Sequence, residues 1–582
     1  METNVSNNID LSAFLNPSLC ANNKQHVSSE LPQSVSPAGL RCSSCKLVQY
    51  CSKACQSAHW RKHKNICKSD LWEKTYMPGW LKDGQPPSWL DGTGPSNLGP
   101  SQYSWGNMPA LNILKMKDNE GIDNLHRDMS LLFGASGDLG NVVKTVAELP
   151  ENYDGECSLV LNDMNFAIVA RNAMLLLTAL TFDPHTAISI MIHLWYSASM
   201  PSKLLRALQD YILPLIDDVC GRINNKEPDS FQAKTWNFGT RSLRLQLQPH
   251  EWRQLRNFVK VPAGVTPIQT EATRRRIMLA PERVDYLHRT LFNQPPAVRV
   301  ATLRLREDGI LLPYGASKAA FDTPNPTLFQ NPKVWPMRDD ASPLAGWEYK
   351  EHIRWAPMAV NDVTGSLFFY IKDVLLHFCQ RVHKPGIHFG LHCVNATVLP
   401  SHLKNHRAFD RIEIWNICDR GYIGAAAALR TFVPLLQPIT ENPHAALLSL
   451  FMTAVTENYD TIGAAQRTID SVPYVKRFLG SAPHTPTPWT TPSFIRLTTC
   501  YCMFGDFENT FKTFVKDNNL IAEMRALGVK PRKPHTIVEP CPLRITLHTS
   551  QEEFERRCVG HYSGSERYME IVRWVGIPSE AL

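Results

Sequence analysis

The sequence predicts two parts. One is a small metal-stabilised finger near the N-terminus. The other is a large α/β body on a parallel sheet, interrupted by a large, mostly helical insertion. Three observations carry this. Cysteine and histidine cluster between residues 42 and 67. Short apolar runs alternate with helical stretches after residue 110 and again after residue 386, which argues for a parallel sheet covered on both faces. The length of 582 residues, with 43% hydrophobic and 20% charged, is that of an ordinary globular chain with room for more than one domain. The implied boundaries are 1–18 for a loose, disordered N-terminus, 19–68 for the finger and 69–109 for a Pro/Gly-rich linker. Then come 110–200 for the first half of the Rossmann-like sheet domain, 201–385 for the insertion, and 386–582 for the second half with C-terminal strands.

The N-terminal stretch is polar and loose by composition. The finger follows: Cys42-Ser-Ser-Cys45, Tyr50-Cys51, Cys55-Gln56, His59-Trp60, His63 and Cys67. Two thiolates two residues apart grip one metal from a tight turn. Cys55, His59, His63 and Cys67 recur every four residues and so share one face of a helix. Zinc takes four nitrogen or sulfur ligands in a tetrahedron, and ligand pairs from a turn and a helix suit it.

The run RCSSCKLVQYCSKACQSAHWRKHKNIC resembles a MYND-type zinc finger. The resemblance implies two zinc ions with interleaved ligands. One site would be Cys42, Cys45, His63 and Cys67. The other would use Cys51, Cys55 and an earlier Cys-x-x-Cys pair. Here the chain departs from the pattern, because Cys20-Ala-Asn-Asn23 offers one thiol, and an amide is a poor zinc ligand beside thiolates. His26 or water is left to fill the fourth place. One zinc is expected at the Cys42 site, and a second only if the Cys20 set closes. His59, in the family's HW pair, is read as a packing residue. The resemblance also implies docking of a protein partner, with proline-containing peptides as the class. Tyr50, Gln56 and Trp60 are the contact candidates, and the finger's own core competes for Tyr50 and Trp60.

Pro78 to Pro109 is dense in Gly, Pro, Ser and Trp and reads as a linker, with Trp80, Trp89 and Trp105 marking where it packs. Ser130 to Phe133 reads as a strand, Leu139 to Leu149 as a helix, Cys157 to Leu161 as a second strand and Ile168 to Leu180 as a buried helix. Ile188 to Leu194 reads as a third strand or a helix start. The insertion has helical stretches at Lys203 to Cys220 and Gly365 to Val382, and a Pro-rich irregular stretch from Pro295 to Trp347. Strands return at His388 to Val394 and Arg411 to Trp415, then a helix at Gly421 to Leu436. Pro542 to His548 and Tyr568 to Trp574 are the expected C-terminal strands.

The first strand ends in Gly134-Ala-Ser-Gly137-Asp138 and the second in Asn162-Asp163. A Gly-rich turn before a helix lets a ligand approach the backbone, and an acidic strand end can hold ribose hydroxyls. Gly134, Gly137, Asp138 and Asp163 are therefore the candidate cofactor residues. The competing reading is a plain chain turn with Asp138 and Asn165 as helix caps.

LLFGASGDLGNVVKTV with LVLNDMNFAIVARNAMLLL is similar to a domain of unknown function in fungal MYND-finger proteins, related to dynein axonemal assembly factors. FDRIEIWNICDRGYIGAAAAL resembles a later strand-turn-helix of the same proteins. That part of the family looks like class I S-adenosylmethionine-dependent methyltransferases. The likeness implies a methionine-binding Gly134 turn, a ribose-binding Asp163, and Phe409, Asp410, Asn416 and Asp419 facing a substrate. From its place before the strand, Asp410 reads instead as a cap or a surface group. Three readings stay open: an interaction protein, a methyltransferase-like enzyme, and a scaffold without cofactor. No catalytic residue is identifiable.

The net charge of +7 is small for this length, and no basic stripe with interleaved aromatics is present, so no specific nucleic-acid partner is expected. No apolar run is long enough to cross a membrane, and no signal peptide is read at the start. Metal-binding and free thiols fit a reducing compartment, hence an intracellular protein, cytoplasmic or nuclear.

Overall fold

The computed structural model describes residues 11–23, 39–91, 97–353, 355–356, 358–404, 406–458, 470–480, 492–505, 507–542, 544–559 and 564–574. His26 lies outside them.

The finger is built on two short antiparallel strands, β1 (Leu40–Arg41) and β2 (Gln49–Tyr50), and one helix, Lys53–Cys67. Ser52 starts the helix. Its Oγ accepts the Cys55 N–H at 3.1 Å, filling one of the donors that a helix start leaves open. Cys20 joins Gln49 in a parallel bridge, which brings the N-terminal thiol to Cys51 and Cys55.

The body strands in chain order are β3 (Met129–Phe133), β4 (Cys157–Asn162), β5 (Ser199–Met200), β6 (Gln232–Phe238), β7 (Arg241–Leu247), β8 (Thr323–Pro324), β9 (Ile387–His392), β10 (Arg411–Glu413), β11 (Ala446–Phe451), β12 (Val529–Pro531) and β13 (Arg567–Arg573). Among the described residues β5 pairs with β8, and the others form one sheet in the order β12-β13-β11-β10-β3-β4-β9-β7-β6. The run from β11 to β7 is parallel. β13 runs against β11 and β12, and β6 runs against β7.

β3 and β11 are buried along their whole length, as parallel strands between two helical layers must be. Alternate side chains divide the core in two. Leu131, Phe133, Leu159 and Leu161 belong to one cluster, with the helices Gly140–Ala147, Pro184–Tyr196 and Val363–Val382. Leu132, Val160, Ile412 and Leu447 belong to the other, with Ala425–Phe432, Glu508–Asp517 and Leu520–Ala526. From β3 the chain steps outward through β4 to β9, then returns to β10 and steps the other way to β11. This reversal opens a crevice at the carboxyl ends of β3 and β10.

Several elements depart from the sequence reading. The insertion is not purely helical: β6 and β7 form a hairpin turned at Gly239 (φ +67°), and β7 extends the central sheet beside β9. Arg244 and Gln246 alternate there with buried Leu243, Leu245 and Leu247, so a half-solvated strand replaces the apolar run that marks a central one. Of the two readings of Ile188 to Leu194, the helical one holds and the strand does not: the segment lies inside the helix Pro184–Tyr196, which Asp183 caps by accepting the His185 and Thr186 N–H groups. Pro542 to His548 forms no strand among its described residues. Residues 11–18 are not loose: Ser12–Leu15 is a short helix, and Leu11 and Leu15 are buried.

The linker is bound to the body at several points. Trp80 Nε1 donates to His288 Nδ1 at 2.9 Å, the Ser88 N–H and hydroxyl both reach Asp285 Oδ2 at 2.7 Å, and the Trp105 indole donates to the Trp195 carbonyl at 2.8 Å. The finger is bound too. Leu47, Val48 and Tyr50 belong to the same core cluster as Phe133 and Leu367. Asn361 Nδ2 donates to the Cys45 carbonyl at 2.8 Å and its N–H to the Lys46 carbonyl at 3.2 Å, and Asn23 Nδ2 reaches the Gly315 carbonyl at 3.0 Å. A Cβ at Gly315 would stand 3.1 Å from the Ala21 Cβ, a tight contact that a larger residue could make only by pushing the neighbour back a few tenths of an ångström.

Candidate metal centre and strand-end pocket

The fold brings together two groups of metal-ligating side chains. Cys42, Cys45, His63 and Cys67 place one donor atom each within 4.8 Å of one another, and so do Cys20, Cys51 and Cys55. Four bonds of zinc type put sulfurs about 3.8 Å apart on a tetrahedron's edge, given Zn–S of about 2.3 Å. Cys42 and Cys67 Sγ are 3.7 Å apart, Cys45 Sγ is 3.3 Å from His63 Nε2, and Cys51 and Cys55 Sγ are 3.4 Å apart. The first group has the donor number and spacing of a closed zinc site. Burial pushes His63 down to about 4, with His59 adding to it, so its imidazole is neutral at neutral pH. Asn23, the residue at the family's missing thiol position, turns away to the body, as the Gly315 contact shows.

His59 stands outside both groups: its Nδ1 lies 3.1 Å from the Tyr50 hydroxyl, and the rings pack. Tyr50 is fully buried and belongs to the core. Trp60 is 45% exposed and Gln56 half-buried, so these two remain available on the surface.

A cavity of about 510 Å³ sits at the reversal of strand order. Gly134, Gly137, Asp138 and Asp163 all line it, with Asn162, Asn416 and Tyr422. Their roles differ from a simple ligand cradle. A Cβ on Gly134 would meet the Phe432 ring at 2.7 Å, so packing, not a ligand, demands that glycine. Gly137 has φ +55° and faces open space. Asp138 accepts the Gly106 N–H at 2.7 Å, the Gly140 N–H at 3.1 Å and the Trp195 indole at 3.3 Å; it ties the linker to the turn. Asp163 accepts the Gly137 N–H at 3.1 Å and the Asn165 N–H at 2.8 Å. Asn165 caps the helix Phe166–Thr181 through the Ala167 N–H. Asn162 bonds the carbonyls of Gly134 and Val394 and so joins adjacent strand ends.

Of the later candidates, Asn416 lines the cavity. Phe409 is core, and Asp419 accepts the Met452 and Thr453 N–H groups. Asp410 is neither substrate-facing nor on the surface. It is fully buried at the opposite end of the sheet, accepting the Ser130 N–H at 2.8 Å.

Sequence reasoning missed Glu413, at the end of β10. The signal was there: an acid inside the apolar run Arg411-Ile-Glu-Ile-Trp415. Glu413 is 3% exposed and accepts the Trp415 N–H at 2.6 Å. Trp415 is held at φ +45°, a left-handed conformation rare outside glycine, at the cavity wall. Burial pushes the Glu413 carboxyl up to about 8, against the pull of the Trp415 N–H and the Asn141 side chain. A carboxyl raised on folding costs stability as pH rises from its unfolded value of 4.5 towards about 8. Glu413→Gln is therefore expected to stabilise the protein by about 2–4 kcal/mol at alkaline pH, with the gain gone in acid. Urea unfolding at both ends of this window checks it. An equal difference at both would remove Glu413 as the source.

Comparison with known proteins gives two matches. Residues 20–67 match the model of the MYND finger, and residues 104–200 match that of DUF4470, a domain of unknown function. No solved structure matches the chain. The finger match and the Cys/His groups support zinc binding and a protein-interaction role. The second match spans β3, β4 and the Gly134 turn and assigns them no activity. Among the described residues no helix is long and apolar enough to cross a membrane.

Proposed function

We propose that this chain is a zinc protein whose finger docks a partner carrying proline-containing segments. The observation that carries the reading is the meeting of Cys42, Cys45, His63 and Cys67 within 4.8 Å. In this reading those four hold one zinc, and Cys20, Cys51 and Cys55 supply three ligands to a second. Trp60 and Gln56 form the contact face, because an exposed ring is the surface on which extended proline segments dock. Tyr50 supports that face from the core. Metal analysis of the full chain tests the ligands: Cys42→Ser and His63→Ala should each lower the zinc content by one ion, and an unchanged content sinks the assignment. Trp60→Ala should weaken binding of a proline-rich peptide about tenfold with the metal retained; equal binding would move the contact face elsewhere.

A second reading concerns the strand-end cavity, as the site of a nucleoside-type cofactor such as S-adenosylmethionine in a methyltransferase-like body. Its support is position and charge. The cavity lies at the switch in strand order, where open parallel sheets take ligands. Its described lining has Asp138 and Asp163 and no Lys, Arg or His. Such a wall suits a cationic or neutral ligand with hydroxyls and disfavours a phosphate. Asp163 Oδ1 and Oδ2 each accept one N–H and keep a lone pair for a further donor. Because finger and body share a core, calorimetry of the full chain with S-adenosylmethionine is the test. Binding lost in Asp163→Ala supports the reading. No binding by the folded protein removes it and leaves the finger assignment untouched.

A further inference from the structure

A second cavity, of about 1000 Å³, opens at the β12–β13 end of the sheet. Its lining includes apolar Phe511, Val515, Val538 and Met569, from the helix Glu508–Asp517, the chain after β12, and β13. Its rim carries Lys115, Lys512, Lys516 and Lys533, all exposed. Glu508 and Glu539 line it as well, so the edge carries an excess of positive charge and not positive charge alone; among the described residues the one acid within 4 Å of these lysines is Glu508, 3.8 Å from Lys512.

One wall is fixed in advance. The Thr536, Ile537 and Val538 N–H groups all donate to the carboxylate of buried Glu570, at 2.7 to 3.1 Å. The Tyr568 N–H closes the far end of this segment on the Pro540 carbonyl at 2.9 Å. A loop held by a carboxylate through consecutive N–H groups needs no reordering to receive a ligand. The cavity is thus preformed, apolar inside and cationic at the edge.

We propose that this groove docks an acidic peptide segment with apolar anchors, from a partner protein. The charge is complementary, and its distribution chooses the occupant. The lysines come from three separate segments: Lys115, the helix with Lys512 and Lys516, and the loop with Lys533. A single anionic head group would call for cations converging on one point. Carboxylates spaced between leucine or phenylalanine side chains meet cations spread around an apolar floor.

Fluorescence anisotropy of the full chain tests this, with a fluorescein-labelled peptide alternating aspartate and glutamate with leucine and phenylalanine. Saturable binding is expected, weakened at least about tenfold by the double variant Lys512→Glu/Lys516→Glu and steeply by added salt. Both lysines are exposed, so an unchanged melting curve will show that the variant is folded. Val515→Asp should weaken the same peptide without touching the rim lysines. No saturable binding, equal binding by the charge-reversed protein, or selective capture of phosphatidylserine vesicles in place of the peptide would each overturn the proposal.

Discussion

Stripping zinc from the Cys42, Cys45, His63 and Cys67 group is expected to loosen the body along with the finger. A structural zinc contributes about 10–16 kcal/mol to isolated finger peptides, as much as the whole net stability of a typical domain. Here that free energy is not confined to the finger. Leu47, Val48 and Tyr50 are fully buried in the cluster that also holds the body's Leu367 and Phe368. The turn after Cys45, with Lys46 at φ +52°, is gripped by Asn361, which precedes the helix Val363–Val382. Losing the metal frees the Cys45 turn, and with it both hydrogen bonds to Asn361. Hydrogen exchange of the full chain with and without chelator should show β2 and the start of Val363–Val382 becoming labile together. Labile exchange confined to Lys53–Cys67, with a stable body, would show instead that the finger is an independent module.

What the sequence made legible was local. The finger reads directly because its ligands lie at fixed short spacings, and the helix face and the Cys-x-x-Cys turn follow from those spacings alone. β3 and β4 read as strands because each is a mostly apolar run bounded by turn residues, and β9 and β10 because apolar residues recur between their polar ones. Long-range partners are what a single sequence hides. Nothing near Gly134 says that Phe432 will fill the space beside it, so the glycine invites a ligand reading that packing explains better. Asn23 stands where a thiol belongs, and only the fold shows its amide on Gly315. The hairpin β6–β7 escaped because its polar face lowers the apolar signal. β11 escaped although it is the most apolar strand of all, since six buried residues in a row read equally as helix or strand. Asp410 is the sharpest case: a charged residue before a strand suggests a surface, and burial comes from partners distant in sequence.

Those partners define the other large effect. Arg411→Met is expected to destabilise the fold by about 3–5 kcal/mol. Arg411 is fully buried at the start of β10, and its Nη2 lies 2.7 and 2.9 Å from the two Glu120 oxygens. The same guanidinium donates to the carbonyls of Asp410, His444 and Leu114, at 3.0, 2.9 and 3.2 Å. Asn442 Nδ2 bridges Glu120 at 3.2 Å and Asp410 at 2.8 Å, which joins both acids in one network below the sheet. Methionine fills a similar volume but leaves Glu120 charged, buried and without its cation, and it removes one donor from each of three carbonyls, of which Asp410's keeps the Ala446 N–H at 3.1 Å and His444's keeps Arg532 Nη2 at 3.0 Å. The cost comes from the abandoned partner more than from the lost pair. The double variant Arg411→Met/Glu120→Gln should therefore recover part of the loss, since Gln carries no charge and keeps an oxygen for Asn442. Urea midpoints of the parent, the single and the double variants decide it. If the double variant is no more stable than the single, the loss comes from the lost carbonyl contacts and packing. The cation then serves the start of β10 as a donor to three carbonyls and not as the partner of Glu120.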